Sequence, residues 1–133
     1  MFYVEHFIKS VFSMNYDLIV VGGGHAGLEA AWMGAELGLR TALITSPKVK
    51  IGSTPCNPAI GGVGKGQVVR EIDAMGGLMG RLADLSGIQY RVLNESKGYA
   101  VQSTRVQLDK DIYAENAEKM ISSHPNISII RVK

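Results

Sequence analysis

Residues 17–27 read Asp17-Leu18-Ile19-Val20-Val21-Gly22-Gly23-Gly24-His25-Ala26-Gly27. The first five form a short apolar run rich in β-branched residues, which predicts a strand buried on both faces. The periodicity then changes. Leu28, Ala31, Trp32 and Ala35 recur at i, i+3, i+4 and i+7, one face of a helix over 25–37, and Gly38 suits the position just past its end. Thr41-Ala42-Leu43-Ile44-Thr45 returns to a strand pattern. Strand, glycine turn, helix and strand in about 30 residues make a βαβ unit, whose strands run parallel with a right-handed crossover.

Gly22, Gly24 and Gly27 spell G-x-G-x-x-G between that strand and that helix, the context in which the motif has a mechanism. The first glycine permits a tight turn, the second lets backbone approach a diphosphate, and the third brings the helix close to the strand. Unpaired amides and the helix dipole then favour an anion at the helix start. A glycine turn with no ligand is the alternative reading. His25 reads as a spacer at the start of the helix. The acidic residue that such a unit carries at the end of its second strand is missing, because Thr45, Ser46 and Pro47 stand there. A hydroxyl from Thr45 or Ser46, or a residue beyond position 133, is left to hold the ribose.

Outward from this unit, 46–66 is broken by Gly52, Pro55, Pro58, Gly61, Gly62, Gly64 and Gly66 and reads as one long loop, of a kind that is either functional or disordered. A helix is expected over 67–75 from Val68, Ile72 and Met75. Gly76-Gly77 interrupts it, and Leu78, Leu82 and Leu85 resume the pattern up to Gly87. Alternation of Ile88, Tyr90 and Val92 with Gln89 and Arg91 predicts a half-buried strand, followed by a turn-rich loop over 94–98. Leu108, Ile112, Tyr113, Ala117, Met120 and Ile121 define an amphipathic helix, with Asp109, Glu115 and Glu118 outside and a Glu115–Lys119 pair along it. His124-Pro125 stops that helix, and 127–132 is expected as a third parallel strand. A sheet that reaches the last residue in this way reads as unfinished, the mark of a truncated chain. The resulting division is an extension over 1–15 and the first part of an α/β domain over 16–133.

Composition agrees with a globular α/β domain. The 133 residues are 46% hydrophobic and 20% charged, with a net charge of +2. Glycine is the outlier at 16 residues, while four prolines and no repeating triplet exclude collagen and low-complexity linkers. A single cysteine excludes an internal disulfide framework and suits a reducing cytoplasm. No apolar run has the length of a membrane span. Residues 1–13 lack the basic start and small-residue cleavage site of a signal peptide and read as an unpacked tail, with Met14 as an alternative start.

Between Glu36 and Glu71 there is no acidic residue, whereas Arg40, Lys48, Lys50, Lys65 and Arg70 fall inside. A polyanion site and a solvated basic surface are equally compatible with this stretch. Within it, Pro55-Cys56-Asn57-Pro58 fixes a thiol on a stiff backbone, and nearby positive charge would lower its pKa. A nucleophile is one reading of Cys56 and a small buried hydrophobe the other. The lysine of Gly61-Gly62-Val63-Gly64-Lys65-Gly66 lacks the following Ser or Thr of a P-loop, so that reading fails. His6 and His124 are isolated, no zinc spacing occurs, and no Gly-x-Ser-x-Gly elbow appears.

With these residues in view, the run from Cys56 to Gly66 (Cys-Asn-Pro-Ala-Ile-Gly-Gly-Val-Gly-Lys-Gly), preceded by the glycines at 22–27, closely resembles the glucose-inhibited division protein A family (MnmG/GidA). These are FAD-dependent tRNA uridine 5-carboxymethylaminomethyl modification enzymes. Further matching stretches are Glu71-Ile72-Asp73-Ala74-Met75-Gly76-Gly77-Leu78-Met79, Gly87-Ile88-Gln89, Leu93-Asn94, Ser96-Lys97-Gly98, Ala100-Val101 and Thr104-Arg105. The resemblance implies an FAD-binding Rossmann-type domain of the glutathione-reductase class, built on a parallel sheet and incomplete in this chain. It implies wobble-uridine modification at the 5-carbon, with NADH and methylene-tetrahydrofolate as co-substrates and an MnmE-type GTPase as partner. A homodimer or heterotetramer in the cytoplasm, with no membrane association, goes with it.

By the same resemblance Gly22, Gly23, Gly24, His25, Ala26 and Gly27 match the FAD motif, and Cys56 matches a cysteine proposed to act on the pyrimidine ring or as acid/base. Thr45 joins the cofactor set. Asn57, Lys65, Arg70, Lys97 and Arg105 are expected to meet substrate or phosphate, the four cations by their charge, and no metal is expected. A related folate- and FAD-dependent tRNA uridine 5-methyltransferase shares the first fingerprint and is an alternative, from which the Cys56 loop sets this chain apart. A truncated fragment without activity of its own is another.

Overall fold

The computed structural model describes residues 15–54 and 57–132. The expectations for the amino-terminal tail, for Met14 and for Cys56 lie outside them. The βαβ unit forms as its pattern dictates: β1 is Leu18–Val21, α1 is His25–Glu36 and β2 is Thr41–Thr45. Leu28, Ala31, Trp32 and Ala35 are all buried, so the i, i+3, i+4, i+7 stripe is the face that α1 turns inward. Gly38 takes φ +83°, and its N–H donates to the Ala35 carbonyl while Leu39 N–H donates to that of Gly34, closing the helix. β1 and β2 pair in parallel, Leu18 opposite Thr41 and Val21 opposite Ile44.

The remaining elements are β3 (Ala59–Gly61), α2 (Lys65–Ala74), α3 (Leu78–Ser86), β4 (Gly87–Leu93), β5 (Ser103–Leu108), α4 (Lys110–Ser123) and β6 (Ile127–Arg131). β6 pairs in parallel with β2, giving a first sheet of order β1-β2-β6. An antiparallel second sheet of order β3-β5-β4 stands beside it. The core between the layers is Leu28, Leu43, Ile51, Leu78, Leu82, Leu108, Tyr113 and Ile121. No helix among the described residues is long and apolar enough to cross a membrane.

Several expectations are corrected. The stretch 46–66 is not one loop: Ala59–Gly61 forms a strand and α2 already starts at Lys65. Leu108 ends β5 instead of opening α4, because the Asp109 carboxylate accepts from the N–H groups of Asp111 and Ile112 at 3.0 Å each and sets the helix start at Lys110. β1 is an edge strand, so Ile19 and Val21 are 45% and 78% exposed instead of covered on both faces. β4 is the edge of the second sheet, and Ile88, Tyr90 and Val92 are exposed. Val68, Met75, Leu85 and Ile112 likewise point outward. The helix pair expected at Glu115–Lys119 gives way to cross-element bridges, Glu118 to Arg131 and Asp111 to Lys50.

One side chain joins the two layers. The Glu29 carboxylate on α1 accepts from the N–H groups of Leu78 at 2.9 Å and Met79 at 2.6 Å, filling the free donors at the start of α3. A carboxylate there also meets the positive end of the helix dipole. Glu29→Ala is expected to cost about 1–2 kcal/mol, read as a lower urea midpoint at unchanged slope. Glu29→Gln, which keeps one acceptor oxygen, is expected to lose about half as much.

Candidate functional site

The site starts where β1 hands over to α1. Gly22 has φ +108°, a backbone few side chains tolerate. A Cβ on Gly27 would lie 1.8 Å from the Gly22 carbonyl oxygen, so only glycine lets the helix descend onto the turn. Gly24 is the opposite case: nothing lies within 4 Å of its Cβ position, which faces open space. The helix has no side-chain cap and no acidic residue in its first turn. Among the described residues no acceptor takes the N–H groups of His25, Ala26 and Gly27. A glycine-floored space rimmed by free amides is a cradle for an anion.

His25 is half-buried at the same turn. Its ring meets Tyr113 edge-on, centroids 5.6 Å apart at 76°, with Nδ1 3.5 Å from the Tyr113 hydroxyl. Burial lowers the His25 pKa, against a smaller opposing pull from Glu29, and burial raises that of Tyr113. A neutral imidazole and a protonated phenol therefore stand beside the cradle at neutral pH. Thr45 is buried at the end of β2, its Oγ1 3.0 Å from the Cβ position of Gly23, while Ser46 is exposed.

From His25 a cleft of about 460 Å³ extends between α1, α2 and β3, lined also by Thr54, Asn57, Lys65 and Met79. Two expected phosphate contacts, Asn57 and Lys65, thus share a cleft with the fingerprint. Thr54, not singled out from the sequence, has a buried Oγ1 with no hydrogen-bond partner among the described residues. Its neighbours in the glycine-proline stretch were the only signal pointing to it.

The other expected residues lie elsewhere. Arg70 lines a separate cavity of about 180 Å³ with Asp73 and Asp84, Lys97 sits in the loop after β4, and Arg105 is on β5. The basic stretch is also less charged than its sequence. Arg40 makes a two-point contact with Asp17 at 2.9 and 3.0 Å, which holds the Asp17 carboxyl at about 2, and Lys50 bridges to Asp111 at 3.0 Å.

A family model described as "Glucose inhibited division protein A" matches residues 17–133. The chain belongs to the glucose inhibited division protein A family. Similar curated members are the tRNA uridine 5-carboxymethylaminomethyl modification enzymes MnmG of Thermus thermophilus, 58% identical over 117 residues, and of Aliarcobacter butzleri, 54% identical over 116. They cover 88% and 87% of this chain. The chain spans about a fifth of their length, 19% in each case. Aquifex aeolicus GidA superposes with a TM-score of 0.86 at 49% identity, over 89% of this chain and 20% of that one. PqsL of Pseudomonas aeruginosa, titled a probable FAD-dependent monooxygenase, superposes at 0.58 and 16% identity over 87% of this chain and 32% of its own, a likeness of fold alone. The GidA fold in this chain is thus a mixed α/β Rossmann-type unit with the parallel sheet β1-β2-β6.

Two predictions test the geometry. Gly27→Ala drives a methyl group into backbone and is expected to cost about 3 kcal/mol or more, whereas Gly24→Ala costs about 1 kcal/mol or less in denaturant unfolding. The pH response of His25 follows from its lowered pKa. Below the ordinary 6.5 the unfolded chain takes up a proton that the folded chain does not, so stability is full above that pH and falls as pH drops toward the folded value. Unfolding midpoints followed from about pH 8 to about pH 5 are expected to show that fall, and His25→Asn to flatten it.

Proposed function

We propose that this chain is the FAD-binding opening of a tRNA-modifying flavoenzyme that adds a carboxymethylaminomethyl or aminomethyl group to the 5-carbon of the wobble uridine. The observation that carries the reading is the family match over 17–133, with curated members named for that activity. The cradle fits the coenzyme: free amides at His25, Ala26 and Gly27 and the bare approach at Gly24 suit a diphosphate, with Thr45 and Ser46 at the ribose end. When bound, FAD supplies the redox chemistry, with NADH as reductant and methylene-tetrahydrofolate as one-carbon donor. The neutral His25 contributes no charge, so the diphosphate is held by amides and by Lys65 along the cleft.

Cys56, next to Asn57 in the sequence, acts on the pyrimidine as nucleophile or as acid/base. An MnmE-type GTPase, a homodimeric or heterotetrameric assembly and a cytoplasmic location complete the reading. The complete gene product is expected to copurify with a yellow flavin, and Gly24→Ala to lose it while remaining folded. Cys56→Ser is expected to keep the flavin and to abolish modified wobble uridine in nucleoside digests of tRNA. Unchanged modification would remove the thiol from the chemistry, and 5-methyluridine as product would assign the chain to the methyltransferase instead.

A further inference from the structure

The antiparallel sheet buries Ile60, Val106 and Leu108 in the core. On its other face the register sets two rows across three strands. Gly61, Arg105 and Arg91 form one, and Ala59, Gln107 and Gln89 the next. Arg91 and Arg105 are therefore direct cross-strand neighbours of like charge, an arrangement that destabilises a sheet when nothing offsets it. No carboxylate pairs with either among the described residues. Both arginines and both glutamines line one shallow cavity of about 150 Å³.

We propose that this face is a phosphate site for an RNA backbone, with one phosphodiester held between Arg91 and Arg105 and the adjoining sugar or base edge met by Gln89 and Gln107. Guanidinium groups match phosphate oxygens two at a time, and a bound phosphate turns the repulsion between them into attraction. The glutamine row lies about 7 Å along the strands and supplies both donors and acceptors, which suits a 2′-hydroxyl. The coenzyme diphosphate is already accommodated by the α1 cradle. This cavity shares no lining residue with the cleft at His25. The proposal rests on the reading of the protein as a tRNA-modifying enzyme and adds where the tRNA is gripped.

The test is binding of an unmodified tRNA transcript to the flavin-loaded complete gene product, followed by anisotropy between about 50 and 200 mM salt. Arg91→Gln/Arg105→Gln is expected to weaken binding about tenfold or more and to flatten the log–log salt slope by about 0.7–0.9, the share of one phosphate, with flavin content unchanged. Arg91→Lys/Arg105→Lys is expected to keep the slope, because charge is kept, while losing part of the affinity. The thermal midpoint of the glutamine variant is expected to hold or rise, since a repulsion is removed; a purely structural role would lower it. Single Arg91→Gln and Arg105→Gln variants, each expected to flatten the slope by about 0.4, serve if the double variant fails to fold. An unchanged slope with intact wild-type binding overturns the site alone, as does loss of flavin without loss of tRNA. Absence of saturable tRNA binding by the wild type overturns the functional reading and the site with it.

Discussion

The contact on which the site depends is the one between Gly27 and the Gly22 carbonyl. Since a single added carbon at Gly27 would lie 1.8 Å from that oxygen, the helix seats on the end of β1 only with hydrogen at this position. That seating aims the first amides of α1 at the end of the strand and brings Glu29 over the start of α3. The same helix face buries Leu28, Ala31, Trp32 and Ala35 in the core. A functional requirement, amides left free, and a structural one, a tightly packed βαβ unit, are thereby met by one absent side chain.

The parallel half of the fold was legible because it is written twice, once in the switch from strand to helix period and again in the glycines between. The antiparallel half was not. β3 is three residues long and ends in glycine, so it carries no period at all. β5 alternates Val106 and Leu108 inward with Arg105 and Gln107 outward, yet Leu108 also sits at helical spacing from Ile112 and belongs to the longer of the two patterns. Only the Asp109 carboxylate, capping the amides of Asp111 and Ile112, separates the two. β1 and β4 misled in another way. Their apolar residues signal burial correctly as strand chemistry, but edge position exposes them, and position within a sheet is not a local property.

Charge shows the same gap between order along the chain and arrangement in space. The acid-free stretch from 37 to 70 reads as basic, but Arg40 and Lys50 are answered by Asp17 and Asp111, which come from outside it. Lys65, expected from its charge, and Asn57 do share a cleft with His25. Thr54 lines that cleft and Tyr113 meets the His25 ring only through folding; a glycine-proline neighbourhood marks the first, and nothing near it in sequence marks the second. Arg91 and Arg105 stand 14 positions apart, each unremarkable alone, until the hairpin sets them side by side.

The two sheets answer the problem of holding an anion in opposite ways. At the α1 cradle the positive potential comes from backbone amides and a dipole, and the nearby ionisable ring is driven neutral by burial. Such a site suits one small diphosphate at a fixed place and changes little with salt. On the β4–β5 face the potential comes from two full charges on long, solvated side chains. That arrangement tolerates a flexible polyanion, acts over a Debye length, and weakens steeply as salt rises. The two proposed ligands, a coenzyme that stays bound and a nucleic acid that must be released, differ in just this respect. In the proposed function, the rigid site lies on the parallel unit and the adaptable one on an open antiparallel face, so each proposed ligand meets the sheet whose physics suits it.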